Sequence, residues 1–355
     1  MTPVSNDGPE VVFGAGSLEQ LPGVIDRYGY SKVMIVSTPG RFSLTAKAES
    51  LLGDRVVAVF GGARVHVPHE IADRARRMAF DSQADVQVAL GGGSAIGVSK
   101  SVALDTGIHI VAVPTTYSGS EMTPIWGLTA EGKKLTGRDP NVLPRVVIYD
   151  PDLTLSLTAR VTACSGLNAI AHCVEALYAV DAAPDTSKGA LEGLTLLASS
   201  LPRLAAAPDD REQRSHALRG AMLAGGALAK VQMALHHKLC HTIGGSFDLP
   251  HAETHAVLLP YTAAYNRDAA HDAMRAAALA LGVEDAPSEL VALSRLIDAP
   301  TSLKEIGMRE TDIPRAAALA MERTYPNPAP LTEDRIRVLL EAAFVGDTEY
   351  VTRFA

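Results

Sequence analysis

Six of the chain's eleven histidines stand at His172, His236, His237, His241, His251 and His255. Imidazole titrates nearest neutrality and is also a metal ligand, so such a set points to proton transfer, to a metal centre, or to both. On a helix Asn168 and His172 share a face, as do His237 and His241, and His251 after Pro250 is close enough in sequence to fold back towards them. Any one of these residues is more readily a hydrogen-bonded core or surface histidine, and His236 and His255 are read that way. Their concentration beside Gly244-Gly245 is what argues for a site.

A second kind of chemistry is written in Gly91-Gly92-Gly93-Ser94, which follows the apolar run Val86–Leu90 and opens a helical stretch. Small residues there let backbone amides approach a ligand, and the helix N-terminus favours an anion such as a pyrophosphate. Pro114-Thr115-Thr116-Tyr117-Ser118-Gly119-Ser120-Glu121 follows the next apolar run, so two polar loops leave neighbouring strands at their carboxyl ends, where nucleotides bind in open α/β sheets. Gly14-Ala15-Gly16 has no strand-turn-helix context and is read as a turn.

The elements that must hold these residues are legible in outline. Val33–Val36, Val56–Phe60, Val86–Leu90, Ile108–Val113 and Val146–Tyr149 read as buried strands, with helices at 70–82 and 95–104 between them. This alternation implies a parallel sheet covered on both faces. After Asp150-Pro151 the sequence turns Ala- and Leu-rich and is expected to be all helical, with stretches at 186–206, 211–246 and 268–282 and a linker at 150–158.

Composition narrows the partners. The 355 residues carry a net charge of -8, which disfavours nucleic acid and anionic membranes. No apolar run approaches a membrane span, and the N-terminal residues carry no basic-then-apolar signal, so a cytoplasmic location is expected. Three cysteines without close pairing, Cys164, Cys173 and Cys240, read as free thiols.

Four segments in order, GGGSAIGVSK from 91, PTTYSGSE from 114, SGLNAIAHCVEALYA from 165 and HHKLCHTIGGSFDLPHAETHAVLLP from 236, resemble the iron-containing, group III alcohol dehydrogenases over nearly the whole chain. The resemblance implies a Rossmann-like α/β nucleotide-binding domain over 1–155 and an all-α domain over 156–355, the dehydroquinate synthase-like fold, with the active site in the cleft between them. It also implies a metal held by one Asp and three His, whose positions here are Asn168, His172, His237 and His251. The carboxylate is missing. A neutral amide is a poorer ligand for a divalent cation, so no tightly bound metal is expected.

The family's usual Asp in the glycine-rich segment is likewise replaced, by Gly97. These departures, the run Ser37–Gly40 and the HHKLCH segment resemble the branch of the superfamily that reduces the enone double bond of maleylacetate to 3-oxoadipate in the breakdown of aromatic compounds. Chemistry agrees with the missing carboxylate, since hydride addition to an enone spreads charge into an enolate that hydrogen-bond donors stabilise. On that chemistry His241, with His237, is the expected proton donor, and Lys238 or Lys134, with Arg138 and Tyr117 as further candidates, the expected partner for the carboxylates of a small dicarboxylate substrate, maleylacetate or a substituted analogue. Thr38, Gly91, Gly92, Gly93, Ser94, Thr115, Thr116, Ser118, Ser120 and Lys134 are the expected cofactor contacts. Because Thr38, near Arg41, stands where relatives that select NAD carry an Asp, NADH use with measurable NADPH use is expected. A homodimer is also implied. The competing readings are a metal-dependent alcohol dehydrogenase acting on a small alcohol or aldehyde, a dehydroquinate synthase-like cyclase, and a nucleotide-binding sensor without turnover.

Overall fold

The computed structural model describes residues 8–130 and 133–353, and the chain divides into two units, one ending at Ser156 and one beginning at Leu157. The first is an α/β unit. Its strands β1 (Glu10–Phe13), β2 (Val33–Ser37), β3 (Val56–Phe60), β4 (Val86–Gly91), β5 (His109–Pro114) and β8 (Val146–Tyr149) form a parallel six-stranded sheet in the order β1-β8-β5-β4-β2-β3. Strands β6 (Ile125–Ala130) and β7 (Lys133–Arg138) pair separately as an antiparallel hairpin.

Helices α1 (Leu21–Arg27), α2 (Phe42–Leu52), α3 (His69–Asp81) and α4 (Gly93–Thr106) accompany the sheet. Alternate residues of each strand serve opposite faces. Val33 and Ile35 join Val88, Leu90, Val111 and Val113 in one core, whereas Met34 and Val36 pack with Ile71, Ala75 and Val102 in the other. Covering both faces is why these strands read as continuous apolar runs.

The second unit is helical: α5 (Ala159–Tyr178), α6 (Pro184–Ala206), α7 (Arg211–Leu228), α8 (Leu235–Phe247), α9 (His251–Asn266), α10 (His271–Leu281), α11 (Ala286–Leu296), α12 (Ile313–Met321), α13 (Glu333–Val345) and α14 (Thr348–Thr352). The single helical stretch expected over 211–246 is two helices, because the chain leaves helical geometry after Leu228 and restarts at Leu235. Helix α5 is capped by the Thr158 hydroxyl, which accepts from the Val161 amide. Helix α9 starts after Pro250, whose fixed φ suits a helix entry and sets His251 in the first turn. No described helix is long and apolar enough to cross a membrane. All three cysteines are free and buried.

Two features escape the sequence pattern. Strand β1 is only four residues long, half-exposed and at the sheet edge, so it lacks the buried apolar signature. The hairpin is the other: residues 125–130 and 133–138 pair as a ladder that sets Lys134 on β7 opposite Thr129.

Candidate active site

Loops that leave β2, β4 and β5 share one edge of the sheet, since Ser37 pairs with Leu90 and Gly91 with Pro114 at the carboxyl ends. From β2 the chain moves to β3 on one side and returns to β4 on the other. Such a reversal opens a crevice between adjacent loops, the usual nucleotide site of doubly wound sheets. Thr38 follows β2, and Gly91–Ser94 follow β4 and open α4. Gly91 has φ 152°, and a Cβ there would meet that of Ala95 at 3.1 Å. A Cβ on Gly92 would lie 2.8 Å from Thr116 Oγ1, so the glycine and threonine loops are in direct contact. Gly92→Ala is expected to push Thr116 out of place and weaken NADH binding about tenfold, read by fluorescence titration, through overpacking worth roughly 1–3 kcal/mol. Unchanged affinity would separate this contact from the nucleotide.

Beneath the Thr115–Ser120 loop lies a polar network that sequence reasoning missed. Lys100 on α4 is buried and donates to the carbonyls of Ser120 (2.7 Å), Thr123 (2.8 Å) and Ile125 (2.7 Å) and to Thr123 Oγ1 (3.0 Å). Burial pulls its pKa down to about 7, opposed by the charge of Glu121. Glu121, equally buried, accepts from Tyr149 Oη (2.9 Å) and Ser118 Oγ (3.2 Å), and burial raises its pKa. The sequence signal was a lysine four residues beyond Ile96, on the only basic position of α4, where a buried charge must find acceptors. Lys100→Met leaves those acceptors bare and is expected to destabilise the fold by about 3 kcal/mol, each orphan costing about 1–3 kcal/mol. Urea unfolding measures it, and an unshifted midpoint would refute the network.

Gly97, where the resemblance sets an Asp, is explained by its neighbour. A Cβ there would lie 2.7 Å from Val67 Cγ2. Val67 itself has φ 48°, a strained conformation for a β-branched residue. It is held by the hydrogen bonds of Thr129 N to its carbonyl (3.0 Å) and of Thr129 Oγ1 to His66 O (2.8 Å).

In the helical unit, α5, α8 and α9 bring the six histidines together. His172 and His237 stack with centroids 5.0 Å apart, His237 lies 5.0 Å from His255 and 5.9 Å from His241, and His251 lies 4.5 Å from His255. Asn168, His172, His236, His237 and His255 are buried, whereas His241 and His251 are partly exposed.

One hydrogen-bonded run crosses α5 and α8. Asn168 Nδ2 lies 3.4 Å from His172 Nε2, His172 Nδ1 lies 3.0 Å from His237 Nε2, and His237 Nδ1 lies 2.9 Å from Glu175 Oε1. Glu175 has no exposed surface, and burial disfavours its charge. The charge and hydrogen bond of His237, the charge of His236 and the Ala234 amide outweigh that and hold its pKa at about 2.

A parallel run joins α8 to α9. Thr262 Oγ1 donates to the backbone at Leu258 or Leu259 (3.0 and 3.1 Å), so towards His236 Nδ1 (2.9 Å) it accepts. His236 Nε2 then accepts from His255 Nδ1 (2.9 Å), which leaves His255 Nε2 as a buried lone pair without a hydrogen-bond partner. Burial and then the charge of His237 pull the pKa of His236 to about 3, despite Glu175. Burial, followed by His251, His236, His237 and His172, holds His255 well below its ordinary value. Both are hydrogen-bonded core histidines, as read from sequence, but they also form the cluster's inner wall.

The remaining sequence candidates are placed unit by unit. Lys238 Nζ lies 5.8 Å over the Tyr325 ring, with Arg323 and Glu322 nearby, because it sits on the α8 face next to the one that carries His237. Burial, then Arg323, lowers its pKa against Glu322. Tyr117 is fully buried, Lys134 is half-buried on β7, and Arg138 is exposed at the end of that strand. Arg41 donates to Ser156 Oγ at 3.3 Å.

As a metal site, Asn168, His172, His237 and His251 are a poor match to one Asp and three His. A neutral amide stands for the carboxylate, and the nitrogens of His172 and His237 are directed at Asn168, at each other and at Glu175 rather than at one common point. Among the described side chains, His236, Cys240 and His255 do present ligand atoms within 4.8 Å of one another. There the His236–His255 contact of 2.9 Å is accounted for by the hydrogen bond that Thr262 orients.

Two family models cover the chain, one described as iron-containing alcohol dehydrogenase over residues 8–151 and one as the C-terminal part of the Fe-containing alcohol dehydrogenase family over residues 162–344. The chain belongs to the iron-containing alcohol dehydrogenase family. It is an NAD(P)-dependent oxidoreductase with that family's pairing of a parallel α/β sheet and a helical domain. Maleylacetate reductase of Burkholderia cepacia is 50% identical over 338 residues, covering 95% of this chain and 96% of its own. Maleylacetate reductase 1 of Cupriavidus pinatubonensis is 47% identical over 338 residues, again 95% and 96% of the two chains. The crystal structure of maleylacetate reductase from Agrobacterium tumefaciens superposes with a TM-score of 0.90 at 43% identity, covering 98% of this chain and 99% of that one.

Proposed function

We propose that this chain is a maleylacetate reductase that uses NADH, and NADPH measurably, to reduce the enone double bond of maleylacetate to 3-oxoadipate without a tightly held metal. A bound nicotinamide would supply the hydride, which would add to the alkene carbon distal to the ketone and drive the electron pair onto the ketone oxygen. The enolate then takes a proton at the carbon next to the ketone, leaving a single bond. The residues supply the rest. Thr38, Gly91–Ser94, Thr115, Thr116, Ser118 and Ser120 cradle the dinucleotide, with Lys134 a further contact. His241, partly exposed one turn beyond His237, donates to the enolate and is reprotonated from solvent.

The observation that carries this reading is the run Asn168–His172–His237–Glu175, whose imidazole lone pairs are spent on protein partners that a divalent cation would have to displace. Hydrogen-bond donors suffice for a delocalised enolate, where a full alkoxide gains more from a metal. The named relatives at 50% and 47% identity support the same substrate. Lys134, Arg138, Tyr117 and Lys238 remain the candidates for its two carboxylates.

The test uses chelator-treated protein, NADH and fresh maleylacetate, with nicotinamide absorbance followed and the product identified by mass. Rapid oxidation with 3-oxoadipate formed is expected. No turnover with maleylacetate, but reduction of a simple aldehyde once iron or zinc is added, would instead make the chain a metal-dependent alcohol dehydrogenase.

A further inference from the structure

Glu175 was not among the residues that sequence reasoning selected, yet it terminates the chain of imidazoles. Two of its contacts are with backbone amides, which donate without ambiguity: Ala234 N to Oε1 at 2.7 Å and His237 N to Oε2 at 3.3 Å. Tyr178 Oη adds a third donor to Oε2 at 3.1 Å. Both oxygens therefore accept, and the nitrogen 2.9 Å from Oε1, His237 Nδ1, must carry a proton.

The consequence propagates. A neutral imidazole protonated at Nδ1 has a lone pair at Nε2, so His237 Nε2 accepts from His172 Nδ1 at 3.0 Å. His172 is then also the Nδ1–H tautomer, and its Nε2 accepts from the Asn168 amide at 3.4 Å. Every donor in the run points the same way, from Asn168 on α5 to Glu175 three residues beyond His172 on the same helix. An Asp at 168 has no proton to begin such a chain.

We propose that Glu175 is a positioning residue for the reductase reaction, fixing His237 and His172 as Nδ1–H tautomers and thereby orienting the Asn168 amide at the far end of the run. This rests on the reading of the chain as a metal-independent reductase. Glu175 acts through His237 and does not touch substrate. It holds the wall against which His241 works, and it commits the imidazole lone pairs to the protein.

The experiment is a nitrogen-15 spectrum of the full chain labelled at histidine, with the His172 and His237 signals assigned by their loss in H172Q and H237Q. Both are expected as neutral Nδ1–H rings in the wild type. An Nε2–H ring at His237 overturns the proposal without any variant. In E175Q, whose amide can donate as well as accept, His237 is expected to become a mixture of tautomers. Its kcat falls about tenfold while KM for NADH and for maleylacetate stays within about twofold, the pattern of a lost transition-state interaction. A uniform Nδ1–H signal with unchanged kcat in E175Q also overturns it. If wild-type protein shows the Nδ1–H pair but no turnover of maleylacetate, the functional reading fails, and with it the role of Glu175 in that reaction, while the tautomers it fixes stand.

Discussion

Replacing His241 by alanine is expected to lower kcat for maleylacetate by about 10²- to 10⁴-fold, the range lost with a general acid, while NADH affinity stays within about threefold. The argument is one of access. His172, His236, His237 and His255 are buried and hydrogen-bonded into two runs, and protons held there serve the protein. His241 and His251 are partly exposed, with nearly parallel rings 6.4 Å apart. Of the two, His241 stands one turn beyond His237 on α8 and faces it at 5.9 Å, next to the ordered run but open to a ligand. Loss of a partly exposed side chain leaves the core intact, so a thermal midpoint close to wild type should accompany the loss of rate. Steady-state kinetics in both substrates measures the effect. Unchanged kcat removes His241 from the proton transfer and moves attention to His251.

The parts of this molecule that follow a one-dimensional rule were legible in its sequence. Continuous apolar runs such as Val33–Val36 became interior strands because both sheet faces are covered, and Gly91–Ser94 became a strand-to-helix turn because a glycine is needed where Thr116 approaches. The spacings Asn168/His172 and His237/His241 placed each pair on one helix face, as the helical period requires. What stayed hidden were partnerships made across long separations. Glu175 meets His237 62 residues away, and Lys100 finds its acceptors only after the chain has run through β5 and back along the Ser120–Ile125 segment. Adjacency in sequence is a poor guide to such partnerships: Lys238 follows His237, yet consecutive helix residues point about 100° apart and its ammonium lies over Tyr325. Charge in the interior is the signal that would have found Glu175 and Lys100, since neither stands unpaired at no cost.

Converting Asn168 to aspartate is expected to lower metal-free turnover of maleylacetate by about 10²-fold and to raise the divalent metal that the purified protein holds above the wild-type level. Asn168 is buried and its amide donates to His172 Nε2 at 3.4 Å. A carboxylate of the same size donates nothing and confronts the Nε2 lone pair with a buried negative charge. That conflict costs several kcal/mol unless His172 takes up a proton or changes tautomer, or a cation enters. The first two break the run that Glu175 orders. The third restores the one-Asp, three-His donor set with His172, His237 and His251 and suits a hard divalent ion better than an amide does. The two readouts separate these routes: metal content per chain by elemental mass spectrometry after purification, and turnover of maleylacetate and of a simple aldehyde before and after chelation. Metal retained with new aldehyde reduction means that a single amide keeps this site from the metal chemistry of its family. Full maleylacetate turnover without metal means that the Asn168 donor contributes nothing to the reaction.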